Sequence, residues 1–334
     1  MNFLNKFKKI KKPLIIAEIG NNHEGNFENA LKLIDAAKKS GVDAVKFQTF
    51  KTDLFYSNQD LNRVERLKKF ELSFDQFSKL AKYAKKKKLL FISTPLDLKS
   101  LDHLKKIVDI IKIASGDNNF KDLIKSSVKS NKELIISTGL TSLKEIEDLK
   151  KFIQNLNHIS KTYFLHCVAN YPVDPKNANL NFILKLKKIF KDNIGYSDHT
   201  IGIDACLISF LLGSIVIEKH FTLDKSFSKF RDHAISADPK DMSLLVKKIK
   251  MYGELTNDKK KSYLNCENKE RTLFRRSYYF NKSLAKNRII KSNDIIPLRP
   301  GNGIQLNKKY LIINKRTIKN VKKGSIVKLS DLKK

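Results

Sequence analysis

LIIAEIGNNHEGNFENALKLIDAAKKSGVDAVKFQ, residues 14–48, carries the pattern that decides the fold. A short apolar run at 14–19 is followed by a stretch at 27–41 whose apolar residues recur at helical spacing and which stops at Gly41. A second short run then occupies 43–48. Short apolar runs suit buried strands and a 3.6-residue period suits an amphipathic helix, so the segment reads strand, helix, strand. Two strands joined through a helix lie parallel in one sheet, by a right-handed crossover. The unit then recurs, with strands expected at LLFIST (89–94), DIIKIA (109–114), ELIIST (133–138), TYFLHC (162–167), NIGYSD (193–198) and SIVIEKH (214–220). Eight such units in about 240 residues predict a closed (β/α)8 TIM barrel. An open doubly wound sheet alternates in the same way, but no GxGxxG follows the first strand.

Residues 253–272, GELTNDKKKSYLNCENKERT, lose the apolar period. The expected organisation is therefore a barrel domain over 1–255, a linker over 256–273 and a small C-terminal domain over 274–334. Within the last, NRIIKSNDI (287–295) resembles GSIVKLSDL (324–332), which suggests a β-rich module of two similar halves. At about 60 residues it is short of core and is expected to lean on a partner surface.

The chain of 334 residues has 67 Lys+Arg against 34 Asp+Glu, a formal net charge of +33. Such a balance raises nucleic acid as a partner, on a degenerate barrel used as a scaffold. The lysines are spread over every segment, and no zinc-finger, RNP or helix-turn-helix signature accompanies them, so no nucleic-acid partner is expected. The three cysteines, Cys167, Cys206 and Cys266, are far apart and form no CxxC, which suggests reduced thiols with packing roles. The longest apolar stretch, 205–217, is too short and too interrupted to span a bilayer. The basic start MNFLNKFKKIKKP runs into LIIA and then Glu18 before a signal-peptide core can form, so a cytoplasmic location is expected.

In a TIM barrel the reactive groups lie at the carboxyl ends of the strands. Those ends carry Glu18, Lys46 and Gln48, Ser93 and Thr94, Lys112 and Ser115, Ser137 and Thr138, His166, Ser197 with Asp198 and His199, and Glu218 with His220. Lys46 and Lys112 sit inside otherwise apolar strands. They suit fixed cations facing an anion, with hydroxyls completing the cradle, unless alternation turns them outward to solvent. His199 and His220 end neighbouring strands and are placed either to share a divalent ion or to serve as satisfied core histidines. Glu18 is a candidate general base, hydrogen-bond acceptor or salt-bridge partner of Lys46; spacing alone does not choose.

AEIGNNHEG (17–25), VKFQTF (45–50), FISTP (91–95), KIASGD (112–117), IISTG (135–139), HCVANYP (166–172), GYSDHT (195–200), EKHFTLDK (218–225) and RPGNGI (299–304) together resemble the sialic acid synthase family, in order and from about residue 13 to the end. The C-terminal module resembles the antifreeze-like (SAF, β-clip) domain of those enzymes. The resemblance implies a metal-dependent transferase that condenses phosphoenolpyruvate with an N-acetylated hexose such as N-acetylmannosamine, releases phosphate and yields a nonulosonate such as N-acetylneuraminate. It also implies a homodimer in which the antifreeze-like domain of one subunit caps the barrel of the other.

Carried over position by position, the resemblance gives phosphoenolpyruvate to Lys46, Thr94, Lys112, Ser115, Ser137 and Ser197. It gives Mn2+ or Mg2+ to His199 and His220, acid/base work to Glu18, and the sugar to Gln48, Tyr171 and Asp232, with Arg299 entering from the neighbouring chain. Two departures fall near the expected sugar pocket. Ala169 stands where some neuraminate synthases carry Asn, and Phe230-Arg231 replaces the Gly-Pro of the family's GPDH-like loop. The acceptor is therefore open to a legionaminate- or pseudaminate-type diacetamido hexose, and Arg231 to an anionic sugar. Another phosphoenolpyruvate-using barrel, a 3-deoxy-heptulosonate or octulosonate phosphate synthase, is the near rival; the C-terminal module argues against it.

Overall fold

Eight parallel strands close into a barrel in chain order: β1 Leu14–Gly20, β2 Ala44–Thr49, β3 Leu90–Pro95, β4 Ile110–Ile113, β5 Glu133–Ser137, β6 Thr162–Cys167, β7 Ile194–Asp198 and β8 Val216–His220. This is a computed structural model describing residues 3–9, 12–256 and 264–333. The chain divides into two compact units, residues 1–257 and 258–334. Closure is made by β1 pairing with both β2 and β8, with Glu18 opposite Lys46 on one side and His220 on the other.

Alternation along each strand sorts its side chains to two faces. Ile15, Ala17, Val45, Phe47, Phe91, Ile111, Leu134, Phe164 and Ile217 pack outward in the layer beneath the surrounding helices. The alternate set fills the barrel interior. Its amino-terminal part is apolar, with Leu14, Ile16, Ala44, Ile92, Ile110, Ile135, Tyr163, Leu165 and Val216 in one buried cluster. Two residues further along the same strands the interior turns polar: Glu18, Lys46, Thr94, Lys112, Ser137, Cys167, Ser197 and Glu218 face a cavity. Gly195 holds a place where a Cβ would come within 2.4 Å of the Val216 carbonyl oxygen and 2.5 Å of Leu165 Cδ2, so the strand approach there requires glycine.

The basic start of the chain has a structural task. Residues Phe3–Lys9 form a short helix, and Leu4, fully buried, belongs to the apolar cluster at the amino end of the barrel. The Glu133 carboxylate accepts the N–H groups of Phe3 (2.7 Å) and Leu4 (3.1 Å), which satisfies two donors at the helix start. No helix among the described residues is long and apolar enough to cross a membrane.

In the C-terminal unit two short antiparallel ladders, Ser277–Phe280 with Ile295–Leu298 and Arg316–Thr317 with Leu332–Lys333, surround a core that includes Tyr278, Phe280, Ile290, Ile312 and Val327. The repeat seen in the sequence is a repeat in space. Lys282 pairs with Asp294 at 2.7 Å and Lys319 with Asp331 at 2.6 Å, each aspartate at the same place in its copy and each lysine five residues before the copy begins. Asn287 and Gly324, which open the copies, both have positive φ, at 69° and 80°. Of the expected linker, residues 257–263 lie outside the described residues. Asn265–Glu267 and Asn268–Phe274 are helical, stabilised where the Glu267 carboxylate accepts the Leu264 N–H and tied to the C-terminal unit by Gly301 N–H donating to Thr272 O. Polar composition concealed this helix.

Candidate active site

A cavity of about 550 Å³ opens at the carboxyl ends of the strands. Its floor is a charge cluster. Lys46 Nζ lies 2.8 Å from Glu18 and 3.6 Å from Glu218, and Lys112 Nζ lies 3.9 Å from Glu218. Lys46 donates to Thr94 Oγ1 (3.3 Å), Lys112 to Ser137 Oγ (2.6 Å) and Ser197 to Glu218 (2.9 Å). Both lysines are 3% exposed and face inward, so alternation does not turn them to solvent.

Burial in such a place penalises every charge, and the neighbours decide which groups keep theirs. Burial pushes the Glu18 carboxyl up to about 7, against the pull of Lys46 and with the help of Glu218. Glu218 is also penalised by burial, but Lys112, Lys46 and the Ser197 hydroxyl more than offset this and hold it below the usual carboxylate range. Lys112 is pulled down by burial, whereas for Lys46 the two carboxylates outweigh burial and the ammonium is held above its ordinary value. Gln48 Nε2 donates to Glu18 at 3.4 Å and is itself held by Asn21 at 3.1 Å, so the base candidate is oriented through a short chain of amides.

Along one wall His199 and His220 stand with ring centroids 5.4 Å apart, and the Tyr171 ring lies 4.1 Å from His199. The Arg231 guanidinium sits 4.6 Å above Tyr171. Burial lowers both imidazoles, His220 well below its ordinary value, so both are neutral and offer lone pairs. His199 Nδ1–H donates to Val168 O at 2.8 Å, which leaves Nε2 as its free nitrogen. His220 Nδ1 and Glu218 Oε2 are buried without a hydrogen-bond partner. No group of three or more His, Cys, Asp or Glu suited to a metal occurs among the described residues. Two neutral imidazoles with an unpartnered buried nitrogen fit a divalent ion whose other positions water and substrate would have to fill.

Of the residues singled out from sequence, Glu18, Lys46, Gln48, Thr94, Lys112, Ser115, Ser137, Tyr171, Ser197, His199 and His220 line this one cavity. Asp232 lies just behind it, its carboxylate 4.0 Å from His220 Nδ1 and 3.4 Å from Arg231 Nε. Arg299 belongs to the C-terminal unit, with its guanidinium 5.6 Å over the Phe274 ring. Four strand-end groups face elsewhere: Ser93 bonds Thr49, Thr138 the Leu165 carbonyl, His166 the Ala178 carbonyl and Asp198 Lys219. Four further residues line the cavity: Glu218, named among the strand ends but given no role there, Asp117 and Arg63, which sequence reading passed over, and Cys167. Glu218 was accessible by alternation from His220, two positions on; Arg63 arrives on the helix Leu61–Phe70 between β2 and β3, whose path no periodicity dictates. Cys167, read as packing, is a wall residue whose thiol burial pushes up.

Residues 33–261 match the model of the NeuB family. The chain belongs to the NeuB family. It is 36% identical over 334 residues to the N,N'-diacetyllegionaminic acid synthase of Campylobacter jejuni, covering 96% of this chain and all of that one. It is 32% identical over 267 residues to the N-acetylneuraminate-9-phosphate synthase of Mus musculus, covering 76% and 74%. Among solved structures it resembles the N-acetylneuraminic acid synthetase of Leptospira borgpetersenii, determined in complex with citrate, with a TM-score of 0.73, 34% identity, and coverage of 78% of this chain and 90% of that one. These NeuB relatives are acid synthases of the nonulosonate type, and the match to the Campylobacter enzyme covers nearly the whole of this chain.

Proposed function

We propose that this NeuB-family protein is a transferase that joins phosphoenolpyruvate to the open-chain aldehyde of an N-acetylated hexose, with release of phosphate and formation of a nonulosonate. One observation carries the reading: two buried ammonium groups and two neutral imidazoles, remote along the chain, converge on one cavity. His199 and His220 would hold a divalent ion, manganese or magnesium, which when bound supplies Lewis-acid polarisation of the acceptor aldehyde.

The chain's own groups do the rest. Lys46 and Lys112, with Thr94, Ser115, Ser137 and Ser197, offer cations and hydroxyls to the phosphate and carboxylate of phosphoenolpyruvate. Held there, C3 of the enol attacks the aldehyde carbon as the carbonyl π pair moves onto the aldehyde oxygen, and the cation-like C2 that results is captured by water. Glu18, ionised above about pH 7 and aimed by Gln48, takes the proton of that water and gives it to the new alkoxide oxygen. The tetrahedral carbon then expels phosphate, which carries off the C2 hydroxyl proton and leaves the keto acid, with the lysines already matched to the departing charge. Tyr171, Gln48 and Asp232 flank the sugar, and the aromatic face of Tyr171 fixes its plane beside the imidazoles.

A diacetamido hexose is the second acceptor, favoured by the full-length match to a legionaminic acid synthase and by a cavity lining that includes Phe55, Leu96 and Leu140, apolar surface suited to an additional acetamido methyl. The C-terminal unit is read as an antifreeze-like domain that closes the barrel of a second subunit and brings Arg299 to the sugar. Incubation with phosphoenolpyruvate, Mn2+ and a pool of N-acetylmannosamine, its 6-phosphate and diacetamido hexoses should release phosphate and give one keto acid by mass spectrometry. Chelator should stop both. Phosphate release without a keto acid, or no product from any acceptor, refutes the reading.

A further inference from the structure

Behind the two imidazoles, on the opposite face of β7 and β8, lies a buried ion pair that the proposed chemistry does not use. Asp198 and Lys219 are opposite one another in the strand register, and their side chains are 0% and 1% exposed. Each immediately precedes one of the imidazoles. Alternation therefore sends Ser197 and Glu218 into the cavity, Asp198 and Lys219 out of it, and His199 and His220 into it again. The ion pair is the last cross-strand link before the imidazoles.

Its hydrogen bonds bracket His199. Lys219 Nζ lies 2.9 Å from Asp198 Oδ2 and also donates to the carbonyl of Thr200. Asp198 Oδ1 accepts the Thr200 N–H at 2.8 Å and the Tyr196 hydroxyl at 3.0 Å, while the Cys206 thiol, from the helix Asp204–Leu211, approaches Oδ2 at 3.4 Å. Both backbone polar groups of Thr200 are thus held by this pair: the peptide that joins His199 to Thr200 is held by Asp198 of β7, and the next peptide by Lys219 of β8. A buried ion pair is costly to form and brings little net stability over an apolar pair, whereas a fully bonded one specifies geometry. Here every polar atom of the pair is engaged, and what those bonds specify is where residue 199 stands relative to residue 220.

We infer that Asp198 and Lys219 are positioning residues that set the separation of the two imidazoles and so the affinity of the site for a divalent cation. The inference rests on the proposed role of His199 and His220 as metal ligands. The test is direct Mn2+ binding to the full-length protein, read by the electron spin resonance of free Mn2+, beside the thermal midpoint of each variant. Asp198→Asn and Lys219→Met are expected to weaken Mn2+ binding about tenfold or more, the scale of outer-partner effects at metal sites. Tyr196→Phe, which deletes one hydroxyl bond to Asp198 and keeps the ring, is the variant expected to fold in any case, with a loss of about two- to fivefold on the same scale. Leu4→Ala, at the far end of the barrel, should lower the midpoint and leave Mn2+ affinity within about twofold. Wild-type affinity in folded Asp198→Asn and Tyr196→Phe, or equal weakening by Leu4→Ala, overturns the inference. An unaltered protein that binds no Mn2+ yet makes keto acid overturns the metal reading beneath it, and shows this before any variant is compared.

Discussion

Replacing Lys112 by Met removes one ammonium from the cavity floor while keeping most of the side-chain volume. Two effects add against phosphoenolpyruvate. The first is direct: a charge-assisted hydrogen bond to an anion is lost, worth about 1.5–3 kcal/mol. The second runs through Glu218, which Lys112 faces at 3.9 Å and Lys46 at 3.6 Å. With Lys112 gone, Glu218 keeps only Lys46 and the Ser197 hydroxyl, and its charge shares the cavity with the incoming phosphate. Two like charges near 4 Å repel by about 4 kcal/mol at an effective dielectric of about 20, part of which Glu218 evades by taking up a proton. The sum is about 3–5 kcal/mol, or a loss of a few hundred- to a few thousandfold in affinity. Stability should also fall, because the relief of no longer burying the Lys112 ammonium is set against a buried Glu218 carboxylate left with fewer partners, so the fold of the variant is checked before binding is read. Calorimetric titration of phosphoenolpyruvate without acceptor isolates binding from chemistry. The double variant Lys112→Met/Glu218→Gln should recover about tenfold by removing the repulsive partner. A folded Lys112→Met that binds phosphoenolpyruvate within threefold of the unaltered protein refutes the assignment of the lysines.

Leu4→Ala, in the helix that closes the amino end of the barrel, should cost about 2–4 kcal/mol in denaturant unfolding; a loss below about 0.5 kcal/mol would show that this helix does not seal the core. Because burial pushes the Glu18 carboxyl up to about 7, its ionised form is lost as pH falls through that value, so the rate should drop on the acid side of neutrality. Glu18→Gln should lower kcat about 100-fold or more and abolish that limb, and a limb that persists would assign it to another group. Mixing Arg299→Ala with His199→Ala should restore part of the turnover through hybrid dimers, and verified heterodimers without rescue would exclude a swapped arrangement. Salt separates the enzyme from a basic scaffold. Phosphoenolpyruvate bound on the cavity floor should lose only a few-fold in affinity between 50 and 500 mM salt, whereas binding through a solvated basic surface would fall by orders of magnitude.

The barrel was legible because each strand is a short apolar run bounded by turn residues, and each of the eight expected runs matches a strand of the closed sheet, three of which end one residue beyond the run. The strand ends were legible only by position along the chain, and not by direction. Ser93, Thr138, His166 and Asp198 sit where the site residues sit but on the other face, since one step along a strand reverses the side chain. Neither the closing helix nor the helix carrying Arg63 has a period that announces its destination. What placed them is tertiary: Leu4 finds the apolar floor left by Leu14, Ile16 and Val216, and Phe70, ending the Arg63 helix, meets Phe230 edge-on with centroids 5.1 Å apart.

Three strand lysines show why residue type alone could not assign the chemistry. Lys46, Lys112 and Lys219 each interrupt an apolar strand, and all three are buried. The difference lies in what the neighbouring strands supply. Lys219 meets Asp198 at the same register, and with the Thr200 carbonyl its charge is fully consumed. Lys46 and Lys112 meet instead a pair of carboxylates that they must share, one of which, Glu18, is poised to lose its charge near neutral pH. Such a floor is nearly neutral when empty and has two cations able to turn toward an anion that enters. The excess of positive charge over the whole chain is therefore a poor guide to the site: it attracts at a distance and is screened within about 10 Å, whereas recognition depends on two ammonium groups whose partners are only partly committed to them.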